Sequence, residues 1–67
     1  MTITCNGARA DTEARTVADL LVERLGDPWP PGVAVAVDSE VVPRAAWSDR
    51  ALEDGAVVEI VTAVQGG

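Results

Sequence analysis

One segment of this 67-residue chain carries sustained helical periodicity, and it is too short to stand alone. Val17, Leu20, Leu21 and Leu25 recur at the spacing of one helix face, with Asp19, Glu23 and Arg24 on the other side. Thr16 precedes the run as an N-cap, and Asp19 three residues later gives a short-armed capping box. Gly26 stands where a left-handed residue ends a helix. About ten helical residues fall below the length at which an isolated helix is stable in water. The helix must therefore lie on a sheet built from the rest of the chain.

Strand signals flank it on both sides. Thr2-Ile3-Thr4-Cys5 alternates polar and apolar residues and reads as a half-buried strand. Asn6-Gly7 follows, the strongest short hairpin signal, because both central residues of a type I′ turn need positive φ. Ala8 to Ala14 is predicted to return as a polar edge strand, with Arg9, Asp11 and Glu13 toward water. Asp27-Pro28-Trp29-Pro30-Pro31-Gly32 is a stiff crossover, since its three prolines remove donors and fix φ. Val33-Ala34-Val35-Ala36-Val37 reads as a central strand buried on both faces or nearly so. Asp38-Ser39-Glu40 is a tight turn, and Val41-Val42 a short strand that Pro43 ends. Ala45-Ala46-Trp47 suggests one helical turn, with Trp47 over the core edge. After an Asp54-Gly55 turn, Ala56 to Val64 is the longest strand. Val58 and Ile60 share one face of it; Val57, Glu59 and Val61 share the other.

The element order is strand, strand, helix, strand, short strand, strand. The first and last strands are both apolar and suit neighbouring places at the sheet centre. The expected class is α+β: a β-grasp (ubiquitin-like) domain over residues 1–64, with a mixed four- to five-stranded sheet and one main helix packed across one face. Residues 65–67, Gln65-Gly66-Gly67, have no side chains suited to packing and are expected to form a flexible tail. Eleven valines in so short a chain favour the sheet.

Composition narrows the function. The chain has one Cys, no His and a formal net charge of −6. A lone Cys5 cannot form an internal disulfide, and without His a structural zinc site has no plausible ligand set. The same poverty disfavours self-contained acid–base or nucleophilic catalysis, so no residue is assigned a catalytic or metal role. Eleven acids against five Arg argue against a nucleic-acid partner. No apolar run approaches the roughly 20 residues of a membrane span, no signal peptide is visible, and a reducing, cytoplasmic setting is expected. The missing Lys fits a GC-rich genome that writes Arg for Lys, or the avoidance of reactive amines. The acidic surface complements basic partner patches or serves solubility alone. Cys5, on the inward face of its strand, reads as a small buried hydrophobe. Glu53-Asp54 reads as solvated turn charge. Arg44 is expected to make a surface salt bridge or to contact a partner.

Several stretches together resemble the ThiS family of small sulfur carriers. Val41-Val42-Pro43-Arg44-Ala45-Ala46-Trp47 is similar to that family's apolar-apolar-Pro-Arg-x-x-Trp segment. Leu52 to Ile60 resembles its Asp-Gly turn entering the last strand. Asn6-Gly7, the Thr16-Val17-x-x-Leu20-Leu21 helix start and the terminal Gly66-Gly67 also fit. The Pro-rich loop at 28–31 and Gln65 depart from the pattern. The resemblance implies that the Gly67 carboxylate is adenylated by a ThiF-type adenylyltransferase using ATP. A cysteine desulfurase system then supplies sulfur for a C-terminal thiocarboxylate, which thiazole synthase (ThiG) consumes in thiamine biosynthesis. The carrier itself binds no cofactor and is expected to be a monomer when free. Gln65 and Gly66 form the narrow tail leading to Gly67, and nothing following Gly67 needs trimming. Val57, Glu59 and Val61, with Ala63 nearer the tail, are candidate docking residues; burial by the fold itself is the competing reading. Other readings are a carrier for molybdopterin synthase or cysteine biosynthesis, a ubiquitin-like protein modifier, or a plain interaction module.

Overall fold

The structure is a computed structural model that describes residues 1–62. In chain order it forms β1 (Thr2–Cys5), β2 (Ala8–Asp11), α1 (Val17–Leu25), β3 (Val33–Val37), β4 (Glu40–Val42), a 3₁₀ turn (Arg44–Ala46) and β5 (Val57–Thr62). The five strands make one mixed sheet in the order β2-β1-β5-β3-β4. β5 is central: it runs parallel to β1, with Thr4 opposite Val57, and antiparallel to β3, with Ala34 opposite Val61. The first and last strands are thus neighbours, as their apolar character suggests.

The core lies between the sheet and α1. Ile3, Cys5, Val35, Val37, Val42 and Val58 point inward and meet Val17, Ala18, Leu20 and Leu21 of the helix. Trp47, Leu52, Ala14 and Ala56 close its margins. Burying each Val or Leu contributes about 1.5–3 kcal/mol, and these few side chains supply most of what opposes chain entropy.

The N-terminus of α1 shows how a short helix is held. Its first orphan N–H groups all find partners: Val17 donates to the Arg50 carbonyl, Ala18 to that of Trp47, and Asp19 to the Thr16 hydroxyl. Asp19 does not complete a capping box, because its carboxylate accepts from the Arg15 N–H and not from Thr16. Thr16 instead bridges Ala51 in an isolated antiparallel pair. Gly26 takes φ 76° and returns its N–H to the Val22 carbonyl, ending the helix where the sequence places the stop. Leu25 departs from the expected stripe: it lies a turn beyond Leu21 and is exposed, while Ala18 takes a core place.

Other expectations shift in detail. β2 stops at Asp11 and does not run to Ala14, because Thr12 turns inward. Its hydroxyl donates to the Glu23 carboxylate and accepts from the Ala14 N–H. β3 is buried on one face only: Val35 and Val37 are covered, Ala34 is exposed, and Ala36 is half-buried. Among the described residues one helix covers one face of the sheet, so the large-small alternation of the run marks inside and outside. Glu40 belongs to β4, opposite Val37, which leaves Asp38 and Ser39 as the two-residue turn. Ala56 precedes β5, and Ala63 and Val64 lie outside the described residues.

Trp47 is 1% exposed, and its indole N–H donates to the Val42 carbonyl at 2.9 Å. It is therefore a core residue and not an edge cover. Trp29 stacks on it, centroids 6.1 Å apart with ring planes at 8°. Among the described residues Arg44 makes no salt bridge. Its guanidinium donates to the Trp29 and Pro30 carbonyls and lies 5.2 Å from the Trp47 ring centroid. A cation bonded to carbonyls and set over an indole fastens the proline loop to the body. Asp54 is likewise structural, accepting the Thr2 N–H at 2.8 Å. The ion pair formed among the described residues joins Arg50 to Glu40.

Candidate functional site

Strict alternation along β5 sends Val58 inward, leaves Ile60 half-buried, and sends Val57, Glu59 and Val61 outward. The fold does not bury the outward set: Val57 is 45% exposed and Val61 61%. The competing reading, that these residues serve the core, is thereby set aside. Pairing then extends the outward face across the sheet. Val61 lies opposite Ala34 and Glu59 opposite Ala36, and Ala36 in turn lies opposite Val41, which is 73% exposed.

Together Ala34, Ala36, Val41, Glu59 and Val61 line a shallow depression of about 210 Å³. Enclosed small-molecule sites usually measure roughly 300–1,000 Å³. A smaller, open, apolar depression with one carboxylate suits contact with a protein surface. The other half of the same face is polar: Thr4 lies opposite both Val57 and Arg9, and Thr2 opposite Asp11. The apolar ground is therefore confined to β5, β3 and β4. A wider hollow of about 510 Å³ beside Met1 and Leu52 is open, and the Met1 amine there donates to the Thr12 carbonyl.

Ala63, Gln65, Gly66 and Gly67 lie outside the described residues, so the structure brings together three of the expected site residues: Val57, Glu59 and Val61. The sequence reading missed Ala34, Ala36 and Val41, whose place on this face depends on the strand order. It also took Asn6 and Asp38 for turn residues alone. Asn6 bonds Ile60 through both atoms of its amide, and Asp38 accepts the Val57 N–H. Both side chains hold β5, the strand that leads toward residues 63–67.

Cys5 is buried on the inward face and presents no thiol to solvent. Among the described residues no three His, Cys, Asp or Glu side chains gather to hold a metal ion. No helix among them is long and apolar enough to cross a membrane.

A five-stranded mixed sheet with β5 at its centre and one helix across one face defines a β-grasp protein, here with an exposed apolar face on the strand that precedes a diglycine. The ThiS family model matches residues 2–67, and the chain belongs to that family of sulfur carriers. The crystal structure of the thiamine biosynthesis protein (ThiS) from Geobacter metallireducens is similar over 100% of both chains, with TM-score 0.79 and 28% identity. The solution structure of a thiamine biosynthesis protein from the same organism matches 100% of this chain and 88% of that one, with TM-score 0.78 and 26% identity. No curated protein matches the chain.

Proposed function

We propose that this chain carries sulfur on its C-terminal glycine for the thiazole step of thiamine biosynthesis. The observation that carries the reading is the family match, which runs through Gly66 and Gly67. The Gly67 carboxylate attacks the α-phosphate of ATP within a ThiF-type adenylyltransferase. Pyrophosphate leaves and an acyl-adenylate remains. A persulfide from a cysteine desulfurase system then displaces AMP to form an acyl disulfide, and a thiol cleaves its S–S bond, leaving the thiocarboxylate and a disulfide. Thiazole synthase takes the sulfur and returns the carboxylate. The carrier is consumed and restored as a cosubstrate; the partner supplies the ATP site and excludes water.

The exposed face of β5 supports the docking half of this reading. Val57, Glu59 and Val61, with Ala63 beyond them, are the surface that meets the adenylyltransferase. Gln65 and Gly66 carry the tip into its narrow channel, where side chains are unwelcome. Four extended residues, 64–67, reach roughly 13 Å. The body thus stays outside while the carboxylate enters.

Intact mass spectrometry tests the proposal after incubation with the cognate adenylyltransferase, ATP and a sulfur source. The expected product is heavier by the difference between sulfur and oxygen, localised to Gly67. If the enzyme is active on its own standard and only unmodified protein appears, the proposal fails. Val61→Asp is expected to raise KM for the carrier about tenfold at unchanged secondary structure, the cost of charging one apolar contact.

A further inference from the structure

We infer that Asn6 is a positioning residue for this transfer: its side chain secures the β1-side edge of β5 at Ile60, two residues before the strand ends at Thr62 on its way to Gly67. The inference rests on the carrier reading above. β1 and β5 are parallel, and the acceptors of β5 on that side step through alternate residues. The Thr4 N–H donates to the Ala56 carbonyl at 2.8 Å, and the Asn6 N–H donates to that of Val58 at 2.9 Å. The next acceptor in the series is Ile60. By then the chain has reversed at Asn6-Gly7, with φ of 51° and 82°, and no β1 backbone remains to face it.

The Asn6 side chain takes that place. Its Oδ1 accepts the Ile60 N–H at 2.8 Å, and its Nδ2 donates to the Ile60 carbonyl at 3.2 Å. One primary amide thereby acts as a further strand residue, offering a donor and an acceptor together. Only Asn and Gln side chains carry the carbonyl and N–H of an amide on one planar group, and Asn alone of the two also tolerates left-handed backbone well. Two independent demands select the same residue at position 6.

Gly67 follows Ile60 by seven residues, a span of at most about 25 Å when extended. β3 pairs with β5 through Thr62 and Asn6 secures the other edge at Ile60, so the strand that leads to Gly67 is held on both edges. Adenylation needs the carboxylate within contact distance of phosphorus, and small misplacements cost large factors in rate. A last strand held on both edges therefore raises the fraction of docked carriers whose carboxylate is in place. The Asn6 side chain bonds Ile60, whose own side chain faces away from the outward set, so its effect belongs in turnover and not in binding.

The test compares wild type, Asn6→Gly and Asn6→Asp. Glycine keeps the positive φ and deletes the amide; aspartate keeps the acceptor for the Ile60 N–H and loses the donor. Pyrophosphate release by the cognate adenylyltransferase gives kcat and KM for each carrier, at a temperature where circular dichroism shows all three folded. Amide exchange at Ile60 is followed in the free carriers. Asn6→Gly is expected to lower kcat about five- to tenfold with KM within about twofold, and to speed Ile60 exchange about tenfold; Asn6→Asp falls between. Faster exchange with unchanged kcat shows a role in stability alone and overturns the inference. So does a rise in KM alone, which makes Asn6 a docking residue. Wild type that is not activated at all overturns the carrier reading, and the inference with it.

Discussion

Two hairpin turns grip β5 from opposite sides and at opposite ends. Asn6-Gly7, after β1, reaches Ile60; Asp38-Ser39, after β3, reaches Val57. The geometry follows from strand direction, because β5 runs with β1 and against β3. Both turns put two consecutive residues at positive φ, as a type I′ connection requires. They differ in how they hold. Asp38 uses its backbone N–H on the Val57 carbonyl at 2.7 Å and its carboxylate on the Val57 N–H at 2.9 Å. Asn6 holds Ile60 by side chain alone. On the β3 side the main chain holds β5 from Val58 to Thr62; on the β1 side its backbone partners stop at Val58, and Ile60 depends on one amide.

Substitutions in the two turns break or sharpen this contrast. Asp38→Ala has the largest expected effect, about 2 kcal/mol of stability, from a lost hydrogen bond and an alanine at φ 51°. In a domain of this size that corresponds to a melting point lower by roughly 8–16 °C. Gly7→Ala follows at about 1–1.5 kcal/mol in urea unfolding, all of it backbone strain, since a Cβ there meets nothing within 4 Å. If the Gly7 variant proves the worse of the two, the Asp38 carboxylate contributes little to holding Val57. Ser39→Gly relieves a residue at φ 70° and is expected to stabilise by about 0.5 kcal/mol, seen as a small rise in melting point. Asp38→Asn keeps the acceptor and the tolerance for positive φ, so stability changes by less than about 0.5 kcal/mol; a larger loss means the charge itself matters.

Much of the architecture is legible without coordinates because local chemistry and global fold agree. Asn6-Gly7 and Asp54-Gly55 mark turns, Thr16 and Gly26 bound α1, and Val57-Val58-Glu59-Ile60-Val61 declares its faces by alternation. The outward half of the candidate site, Val57, Glu59 and Val61, comes from that alternation. Its other half does not, because Ala34, Ala36 and Val41 join it only through the pairing order β5-β3-β4. Alanine is small enough for either face, which is why the Val-Ala run reads as buried on both. Arg44 misleads for a related reason. A charged residue after a proline has the pattern of a solvated surface, and its partners sit at Trp29 and Pro30 on a loop without periodicity. Asn6 and Asp38 look sufficient as turn formers, so nothing local announces that each also bonds a distant strand.

The stacked indoles have an optical consequence. Trp29 and Trp47 are the chain's only aromatic residues, as it has no Phe, Tyr or His. All of its intrinsic fluorescence therefore comes from one pair, of which Trp47 is 1% exposed and Trp29 39%. Near-parallel rings 6.1 Å apart hold each other in a fixed, asymmetric setting, so the near-ultraviolet dichroism is expected to carry a signature of loop docking. Release of the proline loop would erase that signature while the far-ultraviolet spectrum of the sheet and helix persists. The protein thus carries its own label, with no dye attached, for whether the loop stays seated when a partner binds the opposite face of the sheet.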